Sequence, residues 1–384
     1  GPGRRLEAAM RIGIDVRYLS HGLIGGVHTY VEHFVPALTR LASDDQIFLY
    51  ADTKRPFELR ELPPNVVLRC LPWRGRLSSL YLDLFLRREM ARDRLDVVHY
   101  PANYGFGPPG ARTVITLHDT INVLPLREIV RGHPKRPRTV AMMAYLHCCT
   151  RLSLRRADLL LTVSAHAAGL IAQQTGFDRA RIVAVPHAPT PDLRRVTDPA
   201  VLGDLRQRHR LDGAFVLADA LKNPAAVVGA WRRLPEALRR GRRIVFFARR
   251  PDLLPIVHQA VAADQASLLL RPSRADLIAL YSLADAFVFP SWMEGFGIPV
   301  IEAMTCGAPV VASDRGSIPE VAGGAALLAD ADDAAGLARH LAAVLGDPSL
   351  AARLRALGHA RAAEFSWNST AARILESYQQ AAAA

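Results

Sequence analysis

No stretch of the chain reaches the roughly 18 uninterrupted apolar residues that a membrane-spanning helix needs, and the opening GPGRRLEAAM has no apolar core of the secretory kind. The expectation is a cytoplasmic protein. Cysteine is scarce: Cys70, Cys148, Cys149 and Cys306 show no zinc-type spacing and are too few to staple 384 residues, so they read as buried thiols. Lysine is scarcer still, with Lys54, Lys135 and Lys222 alone among cations that are otherwise all arginine. The net charge of +12 calls for anionic partners, and composition leaves nucleic acid, an anionic membrane face and phosphorylated small molecules equally open. Half of the residues are apolar and 22% are charged, a balance that excludes a disordered tail, a collagen-like repeat or a coiled-coil rod as the whole protein. At ~150 residues per domain the length predicts about two or three folded units.

Short apolar runs alternate with amphipathic stretches. RIGIDV (11–16) is followed by a glycine-bearing loop ending at Gly25 and Gly26 and a helix over about 27–41. Further strands are expected at 46–51, 66–71, 96–101, 113–119, 158–164 and 181–186. The segment PHAPTPDLRRVTDPAV (186–201) has four prolines and no apolar period, which marks it as a linker. Beyond it the alternation resumes, with strands at 214–219, 242–248, 266–272, 286–291, 309–313 and 325–330 and a last helix from about Trp367 to Gln380. Strands alternating with helices predict an α/β protein with parallel sheets covered on both faces.

The densest signal is PSWMEGFGIPVIEAMTCGAPVVASDRGSIPEVAG (290–323). A strand ends at Pro290, a loop carries Glu294, Gly295, Phe296 and Gly297, and a helix begins near Pro299, where a missing N–H is harmless. Unpaired N–H groups at such a helix start suit a phosphate or an anionic leaving group. Glu294 on the loop and Glu302 a turn inside the helix could hold the hydroxyls of a sugar and of a ribose. Taken singly, they read as an anion at a helix start and a solvated helix residue. DADD (330–333) reads as a helix N-cap, and no cluster has metal-ligand spacing, so no metal is expected.

This segment closely resembles the carboxy-terminal signature of family 4 retaining glycosyltransferases, in its paired glutamates, EGFGIPVIEAM core, CGAPVVAS strand entry and SIPEVAG loop; weaker similarity runs from Met10 onward. The resemblance implies a GT-B fold, two Rossmann-like doubly wound domains facing across a cleft. An acceptor-side domain would span 10–190 and a donor-binding domain 200–365, with a helix at 366–384 crossing back onto the first. It further implies a metal-independent hexosyl transfer, mannosyl by analogy, from a nucleoside diphosphate sugar as co-substrate, with no resident cofactor. Carried over by position, Glu302 would accept from the donor ribose and Glu294 would contact the transferred sugar. The backbone of Phe296, Gly297 and Ile298 would lie along sugar and diphosphate, Gly25 and Gly26 would let the main chain approach the diphosphate, and His118, beside Asp119, would stand near the reacting carbon. A saccharide or lipid-linked saccharide would be the acceptor, in glycan or glycoconjugate biosynthesis.

The chain departs from the family at the diphosphate. Lys222 and Asn223 match, but the usual Arg about five residues earlier is replaced by Leu217 in a shortened loop, and Arg249 and Arg250 stand where relatives commonly have glycines. Either arginine could replace the absent one, joining Lys222 in donor binding. The alternative is a catalytically silent subunit that binds a nucleotide sugar or a partner transferase. A pyridoxal-phosphate sugar phosphorylase lacks a suitable lysine context apart from Lys222, and a nucleic-acid binder has only the charge in its favour. The basic, partly apolar segments 74–96 and 127–147 fit either a helix packed on its own sheet or peripheral contact with an anionic membrane.

Overall fold

The strand periodicity closes into two separate parallel sheets. The computed structural model describes residues 9–21, 26–55, 62–75, 78–120, 123–126, 129 and 137–384. It divides into two compact units, one of Gly1–His187 with Trp367–Ala384 and one of Ala188–Ser366.

Among the described residues the first unit is built on β1 (Arg11–Asp15), β2 (Gln46–Asp52), β3 (Val66–Leu71), β4 (Val97–Tyr100), β5 (Arg112–Leu117), β6 (Leu159–Thr162) and β7 (Ile182–Ala184). They pair in the order β3-β2-β1-β4-β5-β6-β7, every pair parallel. The central strands are mostly apolar because both sheet faces are covered; β4 and β6 are buried along their whole length, His99 and Thr162 included. β3, at the edge, leaves Leu68, Arg69 and Cys70 exposed. Cys70 and Cys148 are therefore not buried thiols, whereas Cys149 and Cys306 are.

The Trp367–Ala383 helix belongs to this first unit, and a buried polar chain fixes it there. The Tyr378 hydroxyl lies 2.7 Å from Nδ1 of His99, whose Nε2 lies 2.7 Å from the Thr116 hydroxyl. All three residues are almost fully buried, so each polar atom needs the other.

In the second unit β8 (Ala214–Asp219), β9 (Arg242–Ala248), β10 (Ala266–Leu270), β11 (Ala286–Phe289), β12 (Val310–Ser313) and β13 (Ala326–Ala329) pair in the order β10-β9-β8-β11-β12-β13, again all parallel. In both sheets the order reverses once, between β1 and β4 and between β8 and β11. Ligands of doubly wound sheets collect outside the carboxyl ends of the strands at such a point. Side-chain caps set the helix starts: Asn223, Ser273 and Asp333 accept from the N–H groups of Ala226, Asp276 and Gly336. DADD thus supplies a cap.

Two segments differ from the sequence reading. The SIPEVAG loop contains a short helix, Ile318–Ala322. The 186–201 stretch is not a free connector: Thr190 and Asp192 engage Arg274, Val196 N–H donates to Ser282 Oγ at 2.9 Å, and a helix begins at Pro199.

Candidate active site

The carboxyl ends of β8 and β11 bring the signature loop together with the lysine loop. Lys222 follows β8 by three residues and is held by Asn223, which adopts a left-handed conformation at φ 52° and donates from its side chain to the Ala331 carbonyl at 2.8 Å. The Lys222 ammonium lies 2.7 Å from Glu294 Oε1, and the Ser291 hydroxyl donates to the same oxygen at 2.8 Å. Ser291 in turn receives the Ser313 hydroxyl on its carbonyl at 2.6 Å, which ties the loop to β12. Gly316 permits this packing: a Cβ there would stand 3.0 Å from the Glu294 carbonyl oxygen, and its φ is 62°.

The Ile298–Thr305 helix starts at Gly297, whose φ of 96° is closed to most side chains, and no side chain caps its first turn. Phe296 is buried edge-on against Phe365 and Ile298 is half-buried. Glu302 is 5% exposed. Arg274 Nη1 donates to its Oε1 at 2.6 Å, while its Oε2 is buried with no hydrogen-bond partner among the described residues. A buried carboxylate oxygen left unpaired is costly, and a ligand hydroxyl would satisfy it. Tyr281, fully buried nearby, has a hydroxyl that also finds no hydrogen-bond partner among the described residues; burial pushes its phenol well above the ordinary value, and the charges of Glu302 and Asp219 add to that.

Arg249 and Arg250 follow β9, and both are exposed. The charge of Arg249 acts on Asp219 and on Tyr281. Leu217, the position matched to the absent Arg, is a wholly buried β8 residue beside Val245 and Phe287, so it is a core position and not a loop position. The end of β8 carries Asp219 instead. Burial raises the Asp219 carboxyl above its ordinary value, against the Leu221 N–H at 2.8 Å and the charges of Lys222 and Arg249. Asp219, Arg274, Ser291 and Tyr281 escaped the sequence reading, since each gains meaning only from a partner brought in by another element.

In the first unit, His118 follows β5 directly. Its Nε2 lies 2.7 Å from the Pro101 carbonyl, so it carries the proton and donates there, and Nδ1 lies 3.3 Å from His187 Nε2. Burial pulls the His118 imidazole down to about 4 despite the Pro101 bond. Tyr30 packs edge-on against it and also lines His187 and Trp367. Gly26 is the first residue of the Gly26–Leu41 helix, where a Cβ would enter open space; Gly25 lies outside the described residues. His118 and Gly26 thus stand in one unit, and Lys222, Arg249, Arg250, Glu294, Phe296, Gly297, Ile298 and Glu302 in the other. Among the described residues no group of three or more His, Cys, Asp or Glu side chains could hold a metal ion.

Comparison with known proteins matches residues 24–193 to the Glycosyltransferase Family 4 model and residues 218–361 to the Glycosyl transferases group 1 model. The chain is 30% identical over 314 residues to O-antigen chain mannosyltransferase B of Escherichia coli, covering 79% of this chain and 80% of that protein. The chain belongs to the family 4 glycosyltransferases. This glycosyltransferase is also 28% identical over 405 residues to D-inositol 3-phosphate glycosyltransferase of Pseudarthrobacter chlorophenolicus, with 94% and 91% coverage. Its fold matches the Anabaena protein HepE, solved with UDP and glucose, at a TM-score of 0.66 and 18% identity over 97% of this chain and all of that one. The two parallel-sheet units are those of the GT-B fold.

Proposed function

We propose that this glycosyltransferase moves a hexosyl group, mannosyl by preference, from a nucleoside diphosphate sugar to a hydroxyl of a saccharide or lipid-linked saccharide, with retention at the anomeric carbon. The observation that carries the reading is Glu302 Oε2, a buried acceptor with no partner among the described residues, on the helix that follows a loop where Lys222 meets Glu294 at the switch point of the second sheet, with the charge of Arg249 acting on Asp219 there. Glu302 accepts from the donor ribose and Glu294 from the transferred sugar. Lys222, Arg249 and the start of the Ile298–Thr305 helix stabilise charge growing on the departing diphosphate, which takes the acceptor proton. The reading calls for a co-substrate rather than a resident cofactor, and for no metal. The relatives support the sugar and pathway class: one is a mannosyltransferase of O-antigen chains, and the fold neighbour HepE was solved with UDP and glucose.

His118, neutral and committed to Pro101 through Nε2, offers its ring edge and backbone to the sugar rather than a basic nitrogen. For the acceptor, the Ser78–Arg92 and Pro137–Leu154 helices meet where the Tyr145 hydroxyl donates to Asp83 at 2.7 Å. The first exposes Tyr81, which packs on Phe85 beside Arg88, and the second exposes Met142, features suited to a peripheral seat on anionic lipid at the cytoplasmic face. Among the described residues no helix is long and apolar enough to cross a membrane.

A silent donor-binding subunit is the second reading, and Asp219 favours it, since a carboxylate there opposes a diphosphate. Incubation with GDP-mannose, UDP-glucose and ADP-glucose, with and without saccharide acceptors, separates the two. Release of nucleoside diphosphate from one donor supports the transferase; binding without turnover of any donor supports the silent subunit.

A further inference from the structure

Arg274 is the first residue of the Arg274–Leu283 helix, directly after the Ser273 cap, and each of its three guanidinium nitrogens has its own partner. Nη1 donates to Glu302 Oε1 at 2.6 Å, Nη2 donates to the Thr190 hydroxyl at 2.5 Å, and Nε lies 3.5 Å from Asp192 Oδ2. Partial burial disfavours the Asp192 carboxylate, yet the Thr190 hydroxyl and Arg274 hold it below its ordinary value. The result is a closed network, Asp192–Thr190–Arg274–Glu302, joining segments 28 and 84 residues apart. The planar fork can reach Glu302 and Thr190 together only in one orientation, so the network fixes both the guanidinium and the carboxylate.

A carboxylate has two equivalent oxygens and a broad terminal torsion. Here one oxygen is occupied and the other, also buried, is left open. We propose that Arg274 is a positioning residue for donor recognition: by holding Glu302 Oε1 it presents Oε2 alone, so that one ribose hydroxyl, and not the pair, sets the affinity. The inference rests on the reading of Glu302 as the ribose acceptor. A ligand whose single contacted hydroxyl is removed leaves Oε2 orphaned again, whereas removal of the other hydroxyl leaves the site satisfied.

The test is equilibrium binding of UDP, GDP and ADP, each beside its 2′-deoxy and 3′-deoxy forms, to the wild-type chain, Arg274→Ala and Arg274→Lys. In the wild type, one deoxy form of the cognate nucleotide binds about 10-fold or more weakly than the parent and the other within about threefold. In Arg274→Ala the carboxylate is free to turn, and the two deoxy forms come within about threefold of each other. Arg274→Lys restores charge and one contact but not the fork, and gives an intermediate ratio. A merely structural loss would weaken all three ligands together and leave the ratio unchanged. The same unequal ratio in wild type and both variants overturns the proposal while sparing the ribose reading. Two deoxy forms equally weakened in the wild type also overturn it, because both oxygens would then be in use. A wild type indifferent to both deletions removes the ribose reading, and this inference falls with it. Should Arg274→Ala not fold, Arg274→Lys and Thr190→Val carry the same ratio.

Discussion

Two residues that look alike in the sequence, Arg249 and Arg250, both follow β9 and both are exposed. The charge of Arg249 acts on Asp219 and Tyr281. Loss of a charge-assisted contact of about 1.5–3 kcal/mol predicts that Arg249→Ala weakens cognate nucleoside diphosphate binding about 10- to 150-fold, with Arg250→Ala within about twofold. Titration calorimetry on both variants checks this, and two wild-type-like affinities would remove Arg249 from the site. Glu294, Glu302 and the loop glycines stand out as candidates in the sequence because a dense local motif carries them, and the structure sets Lys222 against Glu294. Arg274 and Asp219 do not stand out, because their partners come from other elements. Leu217 shows the converse error, in which counting residues back from Lys222 placed a loop position inside a strand.

The thirteen strands among the described residues were legible as mainly apolar runs because strands covered on both faces leave little polar alternation to confuse the reading. The weaker places were local: an edge strand that exposes Cys70, and a short Ile318–Ala322 helix hidden in a proline- and glycine-flanked loop. The seat of the last helix is implied only by the family resemblance, which returns it to the first domain; the residues that fix it were not legible, since His99 and Tyr378 are 279 residues apart and neither belongs to a motif. That pair predicts that Tyr378→Phe leaves one buried polar group unpaired and destabilises the first unit by about 1–3 kcal/mol. Urea unfolding of the variant measures it. A change below about 0.5 kcal/mol would mean that apolar packing alone seats the helix.

Across the whole molecule, charge and burial set how stability answers to pH and how the donor is held. Burial, with the nearby His118, pulls the His99 imidazole down to about 3 and holds His187 well below its ordinary value; His118 itself falls to about 4. All three stay neutral in the fold but take protons in the unfolded chain below about 6.5, so the unfolded chain binds more protons and stability falls as pH drops from about 6.5 toward 4. The slope is up to about 1.4 kcal/mol per pH unit for each imidazole, read from urea midpoints at pH 7, 6 and 5, and flat midpoints would contradict neutral burial. The family and the GT-B fold are carried by the whole chain, but the donor assignment turns on one buried oxygen. Calorimetric titration of the wild type and Glu302→Ala with UDP, GDP and ADP tests it most directly. Loss of a charge-assisted bond of about 1.5–3 kcal/mol predicts 10- to 150-fold weaker binding of the cognate nucleotide to a variant that remains folded, and an unchanged affinity would contradict the assignment.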